Sequence, residues 1–229
     1  MKMDKKLVAR YIFREILSLV GTGVALFWAA GRLDWWQAWA TLGVLTGWLL
    51  FTGIVVFHYN PELVVERLER RKGEKTWDVA IVSLMGLVTL VRYIVAGLDQ
   101  RYGWTGGFPL PVEIAALILC AAGYALFVWA TASNAFFSRL LRIQSERNHT
   151  VVTGGPYRWV RHPAYAGVIL YELAVSFLLA SWWSLIPSGV GAVMMLVRTA
   201  LEDRTLQEEL AGYREYAAKV KYRLLPGIW

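Results

Sequence analysis

The sequence predicts an all-α, polytopic integral membrane protein with five or six transmembrane helices. Three observations predict it. Of 229 residues, 57% are hydrophobic, more than soluble domains usually carry. The apolar residues fall in long runs instead of alternating with polar ones. Basic residues collect in every second connection, as in a chain that crosses a bilayer repeatedly.

Six apolar segments follow one another, at 11–30, 35–57, 79–98, 111–133, 164–181 and 183–200. A span needs about 20 residues at about 1.5 Å each. The second, third and fourth segments meet that need. The first carries Arg14 and Glu15 near its start, so only its later part is fully apolar. The last two are short and joined by Ser181-Trp182-Trp183-Ser184. They form a tight hairpin that either spans or re-enters. Pro187 falls early in its second arm, where a helix start tolerates proline. A cleavable signal peptide is not expected, because no small-residue cleavage site follows the first run and more runs come after it. Cys120 is the single cysteine and lies in an apolar run, which makes it a packing residue. His58, His149 and His162 are too scattered for a metal motif, so no metal is expected.

The charges orient the chain. Lys2, Lys5, Lys6, Arg10 and Arg14 precede the first span. Arg67, Arg70, Arg71, Lys72 and Lys75 follow the second. Arg139, Arg142, Arg147, Arg158 and Arg161 follow the fourth, and Arg198, Arg204, Arg214, Lys219, Lys221 and Arg223 follow the sixth. The opposite loops hold Arg32 and Arg101. Both termini are therefore expected in the cytoplasm. Trp35, Trp36, Trp104, Trp182 and Trp183 fall at the outer turns, where an aromatic belt belongs. The net charge of +7 follows from this topology and from anionic membrane lipids, and no nucleic-acid partner is expected.

Two cytoplasmic pieces have a pattern of their own. Within 60–75, Asn60-Pro61-Glu62 opens a charged segment with Leu63, Val64, Val65 and Leu68, closed by Gly73. This fits an amphipathic helix on the membrane surface. In the tail, Leu206, Leu210, Tyr213 and Val220 share one helical face.

Residues 134–167 carry the chemistry. Asn134, Phe136-Phe137-Ser138, Arg142-Ile143-Gln144, His149 and Val151-Val152 lead into Gly-Gly-Pro-Tyr-Arg-Trp-Val-Arg-His-Pro-Ala-Tyr-Ala-Gly. Charges and rings at the mouth of a membrane helix cost free energy and usually serve a task. Gln144, His149, two apolar residues, Gly155-Pro156-Tyr157, Arg161-His162-Pro163, Tyr165 and Gly167 stand at the spacing of one known pattern. Glu202-Asp203, then Gly212-Tyr213-Arg214-Glu215-Tyr216 and Leu225-Pro226, continue it. On these residues the chain resembles the isoprenylcysteine carboxyl methyltransferase family and its bacterial relatives. The match is close over 134–229, with Asp203 where the family commonly has glutamate. Pro61-Glu62-Leu63 and Trp77-Asp78 also look similar to bacterial members.

The resemblance implies a methyltransferase that uses S-adenosylmethionine without a soluble nucleotide-binding domain. Its cofactor pocket is cytoplasmic, formed by the C-terminal helical hairpin and tail. Its acceptor is a lipophilic small molecule or lipidated substrate drawn from the bilayer. The chain then divides into membrane helices at 1–133 and a catalytic region at 134–229, in a bacterial-type inner or plasma membrane. The cofactor contacts implied are Gln144, His149, Val152, Gly155, Tyr157, His162, Pro163, Tyr165, Glu202 and Asp203.

Physical reading of the residues agrees. A polar cofactor cannot dissolve in lipid, and the basic face opens to water. Adenine suits Val151, Val152, Tyr157 and Leu206, while ribose hydroxyls suit a carboxylate such as Glu202. The amino-acid carboxylate suits His149, Arg161, His162 and Tyr165, and a sulfonium is drawn to aromatic faces. A carboxylate acceptor is already ionised and needs no general base, so an arginine that holds it suffices; Arg161 is the candidate. Glu172, in mid-span, is the second candidate for the chemistry, with Arg92 as its partner. Arg158 reads as a solvated or lipid-facing charge. Glu113 sits at a helix N-terminus, where the dipole favours it.

Relatives of the resembled family methylate carboxylates, phospholipid amines or small thiols, and no residue selects among them. Sterol-type reductases that use NADPH share a similar C-terminal region. However, Ala164 and Val168 stand where their pattern has asparagine and aspartate. A non-enzymatic lipid-binding protein accounts for the helices but not for the polar string.

Overall fold

The computed structural model describes residues 5–68 and 73–229. Lys2, Arg70, Arg71 and Lys72 of the charge pattern lie outside the described residues, as does the side chain of Val65. The helices are α1 (Lys5–Ala30), α2 (Trp36–His58), α3 (Glu62–Leu68), α4 (Thr76–Tyr102), α5 (Leu110–Ser133), α6 (Pro163–Leu178), α7 (Leu185–Glu209) and α8 (Tyr213–Lys219). Single 3₁₀ turns at Ser145–Arg147 and Gly155–Arg158 shape the long α5–α6 connection. Five helices (α1, α2, α4, α5 and α7) are long and apolar enough to cross a bilayer. This is an integral membrane protein.

The hairpin of the fifth and sixth segments reaches the far end of the bundle. α6 has 16 residues, about 24 Å of helix. The turn after it reaches the level where α4 ends and α5 begins: Ser181 donates to Asp99, the Trp182 amide donates to the Thr105 hydroxyl at 3.1 Å, and Trp182 meets Phe108 edge-on at 4.8 Å. The turn of the hairpin therefore lies level with the α4–α5 turn.

α5 and α6 touch backbone to backbone. A Cβ on Gly123 would lie 2.6 Å from the Gly167 carbonyl oxygen, and one on Gly167 would lie 2.3 Å from that of Gly123. Only glycine permits this approach, as at close helix crossings in membranes generally. Beyond the crossing α5 continues to Ser133, about 15 Å, whereas α6 runs back only to Pro163, about 6 Å. The mouth of α6 is thus sunk about 9 Å below the end of its neighbour.

Burial is strongest in the middle of the bundle, where Leu26, Ala38, Ala96, Cys120, Val175 and Leu178 pack with no exposed surface. Trp35 belongs to this core, at 1% exposure, and not to an aromatic belt. The short α1–α2 connection folds its ring under the bundle, while Trp36, Trp104, Trp182 and Trp183 stay exposed. Glu113, in the first turn of α5, is buried and accepts from Gln37 at 3.1 Å.

α3 is more than a surface helix. Leu63 and Val64 are fully buried against Tyr11 and Val56. Its acids reach the far part of the chain: Glu66 pairs with Arg142 at 2.8 Å, and Glu62 with Arg147 at 2.8 Å. The expected tail face survives, with a break. α7 runs on to Glu209, Gly212 turns the chain at φ +80°, and Leu206, Leu210, Tyr213 and Val220 pack together with Leu141 and Ile143.

Candidate active site

The loop from 134 to 162, the start of α6, the end of α7 and α8 enclose a cleft at the end of the bundle where the described termini lie. Its empty space, with the solvent at its mouth included, is about 500 Å³. Phe137, Val151, Val152, Leu206 and Leu210 give it apolar wall, and Tyr157, Tyr165, Tyr213 and Tyr216 give it rings with polar tips.

One buried carboxylate organises the surround. Asp203 is fully buried and accepts from Arg161 Nε at 2.7 Å and Nη2 at 2.9 Å, from Arg223 at 2.9 Å, from Gln207 at 2.9 Å and from Tyr213 at 3.1 Å; His162 Nε2 lies 3.2 Å away. The rest of the Arg161 fork donates to the carbonyls of Val220 and Lys221 at 2.7 and 2.8 Å. Burial alone would lower the Arg161 guanidinium, but the bonds to Asp203 hold it above its ordinary value. Backbone pairing completes the seam: the amides of Arg161 and His162 donate to the carbonyls of Tyr222 and Arg223 at 3.0 and 2.8 Å. Tyr216 donates to the Tyr157 carbonyl at 2.6 Å. The tail is stitched over the motif.

Glu202, one residue earlier, faces the other way, into the cleft. It is the carboxylate among the described lining residues. Its Oε2 accepts from Tyr165 at 2.6 Å, and its Oε1 stands 3.7 Å from His162 Nδ1. One oxygen edge remains open to a hydroxyl-bearing ligand. His149 stacks on Phe136, and its Nδ1 accepts the Gln144 amide at 3.3 Å. That fixes the tautomer with Nε2–H as donor. Burial first, then Arg147 and Arg142, lower the imidazole to about 4, so it is neutral near pH 7. Burial likewise raises the phenols of Tyr157, Tyr213 and Tyr216, which keeps them as neutral hydrogen-bonding groups.

The structure gathers seven candidates on the cleft wall: His149, Val152, Tyr157, Arg161, His162, Tyr165 and Glu202. Gln144, Gly155, Pro163, Asp203 and Glu172 are not on it. Gln144 is fully buried, donating to the Phe136 carbonyl at 2.8 Å and accepting from Arg147, so it shapes the loop. Gly155, at φ +58°, lets the chain pass Ser133, whose Oγ would meet a Cβ at 2.2 Å. Pro163 starts α6. Glu172 pairs with Arg92 inside the bundle, as expected, two helical turns from Tyr165.

Sequence reasoning missed a second element. Arg198, counted only as a topology charge, is buried and grips Asp78 with Nε at 2.7 Å and Nη2 at 3.1 Å. Its guanidinium also lies 5.0 Å from the Tyr165 ring. Asp78 in turn accepts the Leu141 amide at 2.7 Å and so anchors the loop. The available signal was an acid in the first turn of one span and a base on another at the same depth. Behind Tyr165 and Phe137 a second, larger cavity opens into the bundle, with about 1,340 Å³ of empty space.

The family model described as isoprenylcysteine carboxyl methyltransferase matches residues 114–209. Protein-S-isoprenylcysteine O-methyltransferase B of Arabidopsis thaliana is 26% identical over 182 residues, 75% of this chain and 88% of that protein. The YpbQ protein of Bacillus subtilis is 27% identical over 174 residues, 70% of this chain and 96% of its own. A solved eukaryotic intramembrane Ras methyltransferase ICMT aligns over 95% of this chain and 85% of its own, with a TM-score of 0.44 and 15% identity.

Proposed function

With residues 114–209 belonging to the isoprenylcysteine carboxyl methyltransferase family, we propose that this membrane methyltransferase uses S-adenosylmethionine and methylates the carboxylate of a lipophilic acceptor, as in isoprenylcysteine O-methylation. One observation carries the reading. A cleft with one carboxylate, Glu202, and aromatic walls abuts a cavity inside the bundle, and Tyr165 and Phe137 line both. Two reactants of opposite solubility can meet there without either leaving its solvent.

The residues of the cleft suit the cofactor. Glu202 offers its open edge to ribose hydroxyls. Val151, Val152, Tyr157 and Leu206 give a flat apolar wall for adenine. His149 offers its Nε2–H as a donor for an amino-acid carboxylate. When bound, the cofactor supplies an electrophilic methyl group. Tyr165 and Phe137 border the place where that group would be presented, and they keep water from it. Exclusion of water favours a displacement in which opposite charges neutralise, and positioning is worth up to about 7–11 kcal/mol.

Arg161 takes a different role from the expected one. Its fork is spent on Asp203 and the tail carbonyls, which makes it a positioning residue that holds the cleft closed. Arg198, at the wall between the cavities, is matched by Asp78 in the same way and supports the ring of Tyr165. The arginines of that cavity favour an anionic acceptor over an amine. Residues 134–229 then carry the donor site, and the N-terminal helices supply the acceptor side. The basic end of the bundle faces the cytosol, with both termini, by the positive-inside rule.

Labelled methyl transfer from S-adenosylmethionine into membranes containing the protein tests this. Release of label as methanol in mild base is expected, since esters hydrolyse; base-stable label would point to an amine or thiol acceptor and overturn the carboxylate assignment.

A further inference from the structure

The cavity behind Tyr165 is bounded by α1 to α7 and the 137–139 loop. Arg14, Arg67, Arg139 and Arg198 line its motif end, against one acid among the described lining residues, Glu15. Arg198 is neutralised by Asp78 and Arg14 by Glu15. Arg67 donates to the Phe137 carbonyl at 3.5 Å, and no carboxylate among the described residues pairs with it or with Arg139. Burial pushes both guanidinium groups below their ordinary value, with Tyr11 and Glu15 only partly offsetting it at Arg67 and Arg14 adding to it at Arg139. Among the described residues, two cations thus line the cavity without a partner carboxylate, Arg67 half-buried and Arg139 exposed. Basic pockets at the ends of membrane helices suit anionic lipid head groups.

The cavity has two ways out for an alkyl chain. Deeper in the bundle it continues past Trp48 and Tyr124 to Ser18, Thr22, Arg92 and Glu172, a polar recess that does not suit methylenes. Sideways it meets a groove between α1 and α2, and Tyr11, Glu15 and Leu49 line both. That groove is walled by Ile12, Ile16, Leu50, Ile54 and Phe57 and holds about 1,260 Å³ of empty space. Ile12, Ile16, Leu50 and Ile54 are exposed, so it lies open to the hydrocarbon.

We propose that this cavity is the headgroup site of a lipid whose headgroup carries a phosphate, gripped by Arg67 and Arg139, with its tail leaving between α1 and α2 past Leu49. That lipid sits beside the acceptor's place in the bundle, a role that rests on the methyltransferase reading; the binding site itself does not.

The test uses the full chain in phosphatidylcholine nanodiscs doped with phosphatidylglycerol, with retained lipid counted by native mass spectrometry. Wild type retains phosphatidylglycerol preferentially. Arg67→Gln with Arg139→Gln lowers that preference roughly thirtyfold, and Leu49→Trp, which fills the doorway, lowers retention of either lipid. Unchanged S-adenosylmethionine affinity and melting midpoint show that the variants are folded. Equal retention of both lipids by wild type, or an unchanged preference in the double arginine variant, overturns the site. Displacement of the lipid by millimolar inorganic phosphate, with no effect of Leu49→Trp, overturns the tail path. Absence of methyl transfer with lipid preference intact overturns the enzymatic reading and leaves the site standing.

Discussion

Two arginine clusters stand on either side of Tyr165, and they differ in how their charge is met. Arg161 and Arg223 share Asp203, which takes further bonds from Tyr213 and Gln207. Arg67 and Arg139 face a cavity whose described acid, Glu15, is already engaged by Arg14. A guanidinium matched inside the protein is scaffold: it fixes geometry and leaves nothing for a ligand. One left unmatched at an open cavity is free to recognise something. Counting basic residues along the sequence cannot separate the two.

The sharpest break of this contrast is Asp203→Ala. It strands Arg161 and Arg223 and releases the tail, at a cost of about 3–5 kcal/mol. A large drop in melting midpoint in detergent, with new proteolysis near Lys219 and Lys221, is the expected result. Glu202→Gln, one residue away, leaves the fold intact. It weakens S-adenosylmethionine binding by roughly tenfold to a hundredfold, the worth of a hydrogen bond to a charged group; unchanged calorimetric affinity would take Glu202 out of the cofactor site.

His149 gives a pH handle on the matched side. Its folded value of about 4 lies below the ordinary 6.5, so the neutral form is favoured by folding. The stability this contributes is present above pH 6.5 and is lost as pH falls toward about 4. The imidazole resonance should therefore titrate near pH 4 in the ligand-free protein, and a midpoint near 6.5 would contradict the burial described. Smallest of all is Arg139→Gln. Removal of an unmatched, exposed charge should change stability by less than about 0.5 kcal/mol, and a loss comparable to Asp203→Ala would show that Arg139 has a partner after all.

Much of the fold was legible because hydrophobic run length and charge alternation are one-dimensional signals. The spans, the hairpin and the Arg92–Glu172 pair each follow from depth along a helix. The cleft was legible in part: His149, Tyr157, His162, Tyr165 and Glu202 line it as a string of polar residues at a helix mouth suggests. Burial within the loop was not legible. Gln144 and Asp203 carry the same motif signal as their neighbours, yet they point away from the cleft, because each is the hub on which a connection closes. Arg198 and Asp78 were hidden for another reason. They lie 120 positions apart, and only the packing of α4 against α7 brings them together.

The sunken mouth of α6 has an energetic consequence. A reactive group on a lipid normally has to be raised toward water to meet a soluble partner, and each methylene exposed on the way costs about 0.8 kcal/mol. On the proposed function the meeting place is lowered instead, about 9 Å beneath the end of α5. The work of lipid extraction, which would otherwise add to the barrier of every turnover, is removed once and for all by cutting one helix short.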